Sequence, residues 1–266
     1  MSGLFNPTVA RITTRATLGR KRALLFAIPA VVLIVVTLAL KASRPPARPW
    51  PSHVLGTFGF TVLLPLTALI IGTSVLGAEI DDGSAIHLLA TPVRRSAVIM
   101  TKFTVATVLT MLFAAVPELI AALISGGGRL PPTPVSVSQG TVLMTPGGPI
   151  NDGKFAIGLF VGALVGSVIY NAIFVMVSVA TTRAIAVGLL YVLIWEVVLA
   201  NFVSGARLLS VSHYALGIAN GFVHDTALNA GLTVTTSIVM GAIVTVAALA
   251  LAVNLLSGFT LKGEPA

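Results

Sequence analysis

Few side chains in this chain could do chemistry, and their spacing narrows what that chemistry can be. His53, His87, His213 and His224 fall in separate segments with no HExxH pair or other ligand spacing, so no metal site is expected. Cysteine is absent, which removes thiolate ligands and disulfides. Gly148-Pro149-Ile150-Asn151-Asp152-Gly153-Lys154 spells the GxxxxGK of a phosphate-binding loop. Phe155 stands where the magnesium-binding Ser or Thr belongs, and no strand precedes the motif. The segment reads as a Gly/Pro turn into an apolar run, and the chain is not expected to hydrolyse ATP by itself. The serines have no evident base, so no nucleophile and no catalytic set is expected.

Two groups of polar residues remain. The stretch LGAEIDDGSAIHLLATPVRRSAVIMTK, residues 76–102, puts Glu79, Asp81 and Asp82 ahead of Arg94, Arg95 and Lys102, between two apolar runs. Glu118, after Pro117, and Glu196, after Trp195, lie inside apolar runs. A carboxylate in hydrocarbon is costly unless protonated, paired or facing water. Each therefore has two readings: part of a polar path or outer vestibule, or a carboxyl hydrogen-bonded to a neighbouring helix. Asn171 belongs with them as a possible pathway residue, although Asn171 and Asn254 are more readily read as interhelical hydrogen-bond partners.

The elements that hold these residues follow from composition. Hydrophobic residues make up 56% and charged residues 9%, against about 25% charged in a soluble domain; mean hydropathy is +1.02. Such a chain cannot cover itself in water, and the expected class is an all-α polytopic membrane protein. Six runs are long enough to cross, at about 23–40, 54–77, 103–125, 155–181, 185–203 and 232–258. Gly158, Gly162 and Gly166 line one face of the fourth, which predicts close helix packing. The halves show no internal repeat, which weighs against an inverted-repeat secondary transporter.

Orientation follows from the basic residues. Arg11, Arg15, Arg20, Lys21 and Arg22 precede the first run, and with Arg94, Arg95, Lys102, Arg183 and Lys262 they outweigh Lys41, Arg44, Arg48, Arg129, Lys154 and Arg207. Both termini, including the 259–266 tail, are expected in the cytoplasm of a bacterium, with the chain multi-pass in the plasma membrane. The net charge of +8 then faces anionic lipid, and no nucleic acid is expected. Residues 1–22 read as a cytoplasmic amphipathic helix starting near Pro7, with Val9, Ile12 and Ala16 opposite Arg11, Arg15 and Arg22. The first run reads as a retained anchor, because Leu40-Lys41 follows it where a cleaved leader has small residues.

The external segments differ. Residues 41–53 are proline-rich, with Trp50 placed as an interfacial anchor. Residues 126–154 are Gly/Pro-punctuated, with a short β segment expected around Val135–Val137. In 204–231, Leu208, Val211, Tyr214, Ala215, Ile218 and Phe222 recur at helical spacing over a length too short to span, predicting a re-entrant or surface-lying helix.

Positive-inside bias explains the arginines of 76–102 but not the acids. The loop at 78–95 reads as a short amphipathic helix over Ile86, Leu88 and Leu89, broken by Pro92, with Ser96 capping the next span. Gly77-Ala78-Glu79, Asp82-Gly83-Ser84, Leu88-Leu89, Thr91-Pro92-Val93-Arg94-Arg95 and Lys102 stand in the order found in the first cytoplasmic loop of another group of proteins. On these residues the chain resembles the permease subunits of ABC-2-type (type V) exporters; Ser84 stands where Thr is commoner, and His87 departs from the usual residue types. Thr182-Arg183, Tyr191, Trp195-Glu196 and Leu209-Ser210-Val211 look like its actinobacterial members. The resemblance implies a six-span half-transporter with an amphipathic connecting helix and a coupling helix at 78–95. It also implies two separate ATPase subunits carrying ATP and magnesium, and a second permease copy or paralogue. Glu79, Asp82, Gly83, Arg94 and Arg95 would meet the ATPase, and this chain would bind no cofactor itself. An ion-coupled secondary transporter using Glu118 and Glu196 is the alternative.

Overall fold

The computed structural model describes residues 7–43, 50–81, 95–127, 133–137, 141–145, 148–224, 228 and 231–258. Helix α1 (Pro7–Thr17) opens on the proline that its sequence predicts, and Gly19 separates it from α2 (Arg20–Ala42). Helix α3 joins a π-helical segment (Ser52–Leu63) to Leu64–Asp81. Helix α4 runs through Arg95–Thr110, a π segment at Met111–Ala115, and Val116–Ser125. Helix α5 covers Asp152–Ala180, N-capped by Asn151, whose side chain accepts from the Lys154 amide at 3.0 Å. Helix α6 joins Ala184–Leu190, a π segment at Tyr191–Leu199, and Ala200–Phe202. A 3₁₀ turn (Ser204–Leu209) leads into α7 (Val211–Val223), and α8 is Val234–Gly258.

Among the described residues, five helices are long and apolar enough to cross a membrane: Leu24–Ala42, Ser52–Val75, Arg95–Ser125, Asp152–Ala180 and Val234–Ser257. The expected run at 185–203 is helical, but its apolar stretch, Ala184–Leu199, is shorter than these five. The third span begins at Arg95 rather than near residue 103, so Ser96 lies within the helix instead of capping it. Lys102 is thereby carried inside the bundle. The protein is nearly all helical, and the β segment expected around Val135–Val137 is present. Strands β1 (Thr133–Val137) and β2 (Thr141–Thr145) form an antiparallel hairpin, with Val135 opposite Leu143, between α4 and α5. The two strands pair each other's backbone groups in an antiparallel ladder.

Helix α5 is the centre of the bundle and packs against α3, α4, α6, α7 and α8. Its glycine face seats α7. A Cβ at Gly158 would stand 2.7 Å from the Ala219 carbonyl oxygen, and one at Gly162 would stand 2.6 Å from that of Ala215. At Gly166 it would meet Leu64 at 2.7 Å. Two backbones thus approach more closely than any side chain would allow. Every residue of α7 from Val211 to Ala219 is buried, so the segment is packed against the bundle, as expected of a helix too short to span. Leu208 and Phe222, which its apolar period placed on the packed face, are exposed.

Helix α1 turns differently from its hydrophobic pattern. Thr13 and Thr17 are buried toward α4, while Ile12 is 60% exposed beside the exposed Arg11 and Arg15. The threonine methyls fit a close contact, leaving the larger apolar side chain for lipid. Apolar residues on the outer sides of α2 and α8, such as Ile28, Val35, Ile243 and Val246, are likewise exposed. That arrangement suits a hydrocarbon solvent and would be untenable in water.

Candidate functional site

Glu196 lies in the π segment of α6 and is fully buried. Its Oε1 accepts from the Tyr191 hydroxyl at 3.0 Å and the Val211 amide at 2.9 Å. Oε2 accepts from the hydroxyls of Ser210 at 2.6 Å and Ser212 at 2.8 Å, and from the Ser212 amide at 3.3 Å. Tyr191 and Glu196 are five residues apart, a separation that the wider π turn brings to one side. Val211 and Ser212 open α7, so the carboxylate sits on the free amides and positive dipole end of that helix. Ser210 gives its only proton to Glu196 and so accepts from His213 Nδ1, 3.0 Å away. Desolvation lowers the His213 pKa below 6.5; Glu196 opposes the shift and Arg207 adds to it. The Trp195 indole donates to the Leu209 carbonyl at 3.1 Å, and the Tyr214 hydroxyl to that of Leu208. The whole cluster fastens α7 to α6.

Glu118 occupies the opposite situation. It is 4% exposed on α4, one turn past the π segment, and its Oε1 has no hydrogen-bond partner among the described residues. The carboxyl rests over Gly59 of α3, where a Cβ would stand 2.6 Å from both of its oxygens. It lines a crevice shared by α2, α3, α4 and α5, with Pro29, Leu33, Phe60, Phe113 and Ala163 among its walls.

The third intramembrane candidate, Asn171 of α5, donates to Thr110 Oγ1 at 2.9 Å and the Ser167 carbonyl at 2.7 Å, joining α5 to α4. Asn254 is exposed on α8 rather than set between helices. Glu118, Glu196 and Asn171 therefore have three separate sets of neighbours. Among the described residues, no three His, Asp or Glu side chains group as metal ligands.

The loop residues divide between described and undescribed positions. Glu79 and Asp81 lie in the last turn of α3. Asp82, Gly83, Arg94 and the expected short helix lie outside the described residues. Arg95 opens α4 and its Nη1 donates to the carbonyls of Leu256 at 3.0 Å and Ser257 at 2.6 Å. A guanidinium there satisfies the free carbonyls at the C-terminal end of α8 and meets its negative dipole. Lys102 is fully buried and donates from Nζ to the Val75 carbonyl at 2.8 Å, linking α4 to α3.

Sequence reasoning missed several of these partners. Ser210 was legible as an N-cap ahead of an apolar helical period. The role of Gly59, one glycine among 25, carries no local signal because it depends on a residue far along the chain.

These features define a multi-pass helical membrane protein whose buried polar groups mostly join helices and include no assembled catalytic set among the described residues. Residues 18–194 match the family model described as ABC-2 family transporter protein. That is well over half of the chain, and the chain belongs to this family of ABC transporter permeases, the membrane subunits that work with ABC ATPases. No curated protein matches the sequence.

Proposed function

We propose that this chain is the permease of an ATP-driven exporter, docking separate ATPase subunits through its 78–95 loop and pairing with a second permease. ATP and magnesium would reside on the ATPase subunits, whose closure pushes the loop and reorients the spans. The family match carries this reading, because residues 18–194 include the whole of that loop. Two contacts support six crossings. Lys41 donates to the Ile124 carbonyl, which sets the ends of α2 and α4 side by side. Arg95 bonds the last turn of α8, which sets the start of α4 beside the end of α8. If α5 and α8 both run from outside to inside, the chain must return between them, and α6 is the segment available. At 1.5 Å per residue its helical course, residues 184–202, extends about 28 Å, close to the hydrocarbon thickness.

Arg95 also gives the loop a mechanical outlet, since the residue that ends it holds the last helix. The proton-coupled alternative is less well supported, because both oxygens of Glu196 are already occupied by donors. Gentle extraction should bring down a nucleotide-binding subunit with the chain, and reversing the charges of Glu79 and Asp82 should uncouple hydrolysis from transport. Intrinsic ATPase activity in the lone chain would sink the proposal, as would transport driven by a proton gradient without ATP.

A further inference from the structure

We propose that Glu118, seated over Gly59, is the selectivity group of a crevice that takes the protonated primary amine of a cationic amphiphile. This rests on the export reading above and gives it a substrate class. Three observations carry it.

The first is an unanswered carboxyl. Glu118 is nearly fully buried and its Oε1 has no partner among the described residues, whereas Glu196, at similar burial, is saturated. A buried carboxylate without a donor is destabilising, and a ligand that supplies both positive charge and N–H donors removes that penalty.

The second is a space kept open for it. The missing side chain at Gly59 leaves room where both carboxyl oxygens lie, and any Cβ there would collide with them. The free space in the crevice is about 10 Å³, room for one water-sized group. An ammonium group is of that size; a bulky quaternary head is larger.

The third is the composition of the walls. Phe60, Phe113, Pro29, Pro117 and Leu33 offer apolar surface and two aromatic rings, suited to an alkyl or aryl body bearing one cation. Thr67, the only hydroxyl on the wall, already donates to the Leu63 carbonyl at 2.8 Å. A sugar or nucleotide would leave most of its polar groups unpaired, and an anion would meet only Glu118.

The test is equilibrium binding of radiolabelled dodecylamine and dodecanol to the chain alone in lipid nanodiscs near neutral pH, with protein-free nanodiscs subtracting partition into lipid. The two ligands share an alkyl body and differ in the charged donor. The wild-type chain should prefer dodecylamine by about tenfold or more, the return expected from one charge-assisted pair. E118Q should erase that preference while leaving dodecanol binding unchanged. G59A, which displaces the carboxyl without removing it, should weaken dodecylamine several-fold. A preference that survives in E118Q, or is absent from the wild type, overturns the inference. Binding is read without any ATPase, so its loss leaves the coupling proposal standing. Conversely, a chain that recruits no ATPase can still show the amine preference.

Discussion

Glu118 and Glu196 share a side chain and a depth of burial, yet they differ in hydrogen bonding: both oxygens of Glu196 accept bonds, whereas Oε1 of Glu118 has no partner among the described residues. At Glu196 five donors converge on one carboxylate, so removing it strands three hydroxyls and two amides. E196A should lower the unfolding free energy by about 3 kcal/mol, since each buried polar group left unpaired costs about 1–3 kcal/mol. E118Q should be close to neutral, because Oε1 makes no hydrogen bond among the described residues that the substitution would break. Thermal melts of the two variants in one detergent would compare them, and equal losses would contradict this division.

His213 adds a pH dependence at the same scale. Its folded pKa is lowered below 6.5, chiefly by desolvation, so the unfolded chain takes up a proton first as pH falls. Its contribution to stability is intact above pH 6.5 and is lost as pH drops through the lower folded value. The charged groups facing it are Glu196 and Arg207. The melting temperature should fall with acidification across that window, and H213Q should flatten the fall; an unchanged slope in H213Q would assign the effect elsewhere.

Among the elements, the central relationship is α7 lying on the glycine face of α5. G162A would press a methyl against the Ala215 carbonyl oxygen at 2.6 Å, and a backbone atom cannot rotate away. A loss of about 2 kcal/mol is expected, typical of overpacking. G148A meets nothing within 4 Å and serves as the neutral control. If both variants melted alike, α7 would not be seated as described.

The three π segments also belong to this scale. One supplies Gly59 and Phe60, another ends just before Glu118, and the third carries Glu196. Each widened turn shifts the helix register beside a buried acid. Hydrophobic runs read at a uniform helical period carry no mark of that shift, which explains why the partners of these acids were not legible.

At the scale of the whole molecule, crossing parity is the open quantity, and the absence of cysteine makes it directly measurable. Single cysteines at Ser43, Ser125 and Gly205 should react with a membrane-impermeant maleimide from outside. Cysteines at Thr181 and Ser257 should react only after permeabilisation. External labelling at Ser257 would mean that α6 does not cross, leaving five spans and reversing the final helix.

Composition alone determined that lipid is the solvent, because 9% charged residues cannot cover a chain of this length in water. Length and periodicity located the long helices, all but the start of the third to within a few residues, together with the amphipathic start at Pro7 and the helical stretch near 211–223, because these depend on neighbours along the chain. The order of residues around 77–102 pointed to the family. Tertiary structure decided what each polar residue means. It turned Arg95 onto the end of α8, buried Lys102 against Val75, saturated Glu196 and left Glu118 over an empty glycine. Those outcomes depend on atoms brought together from distant parts of the chain, and helical periodicity records only which face of a helix is apolar, not what the next helix places against it.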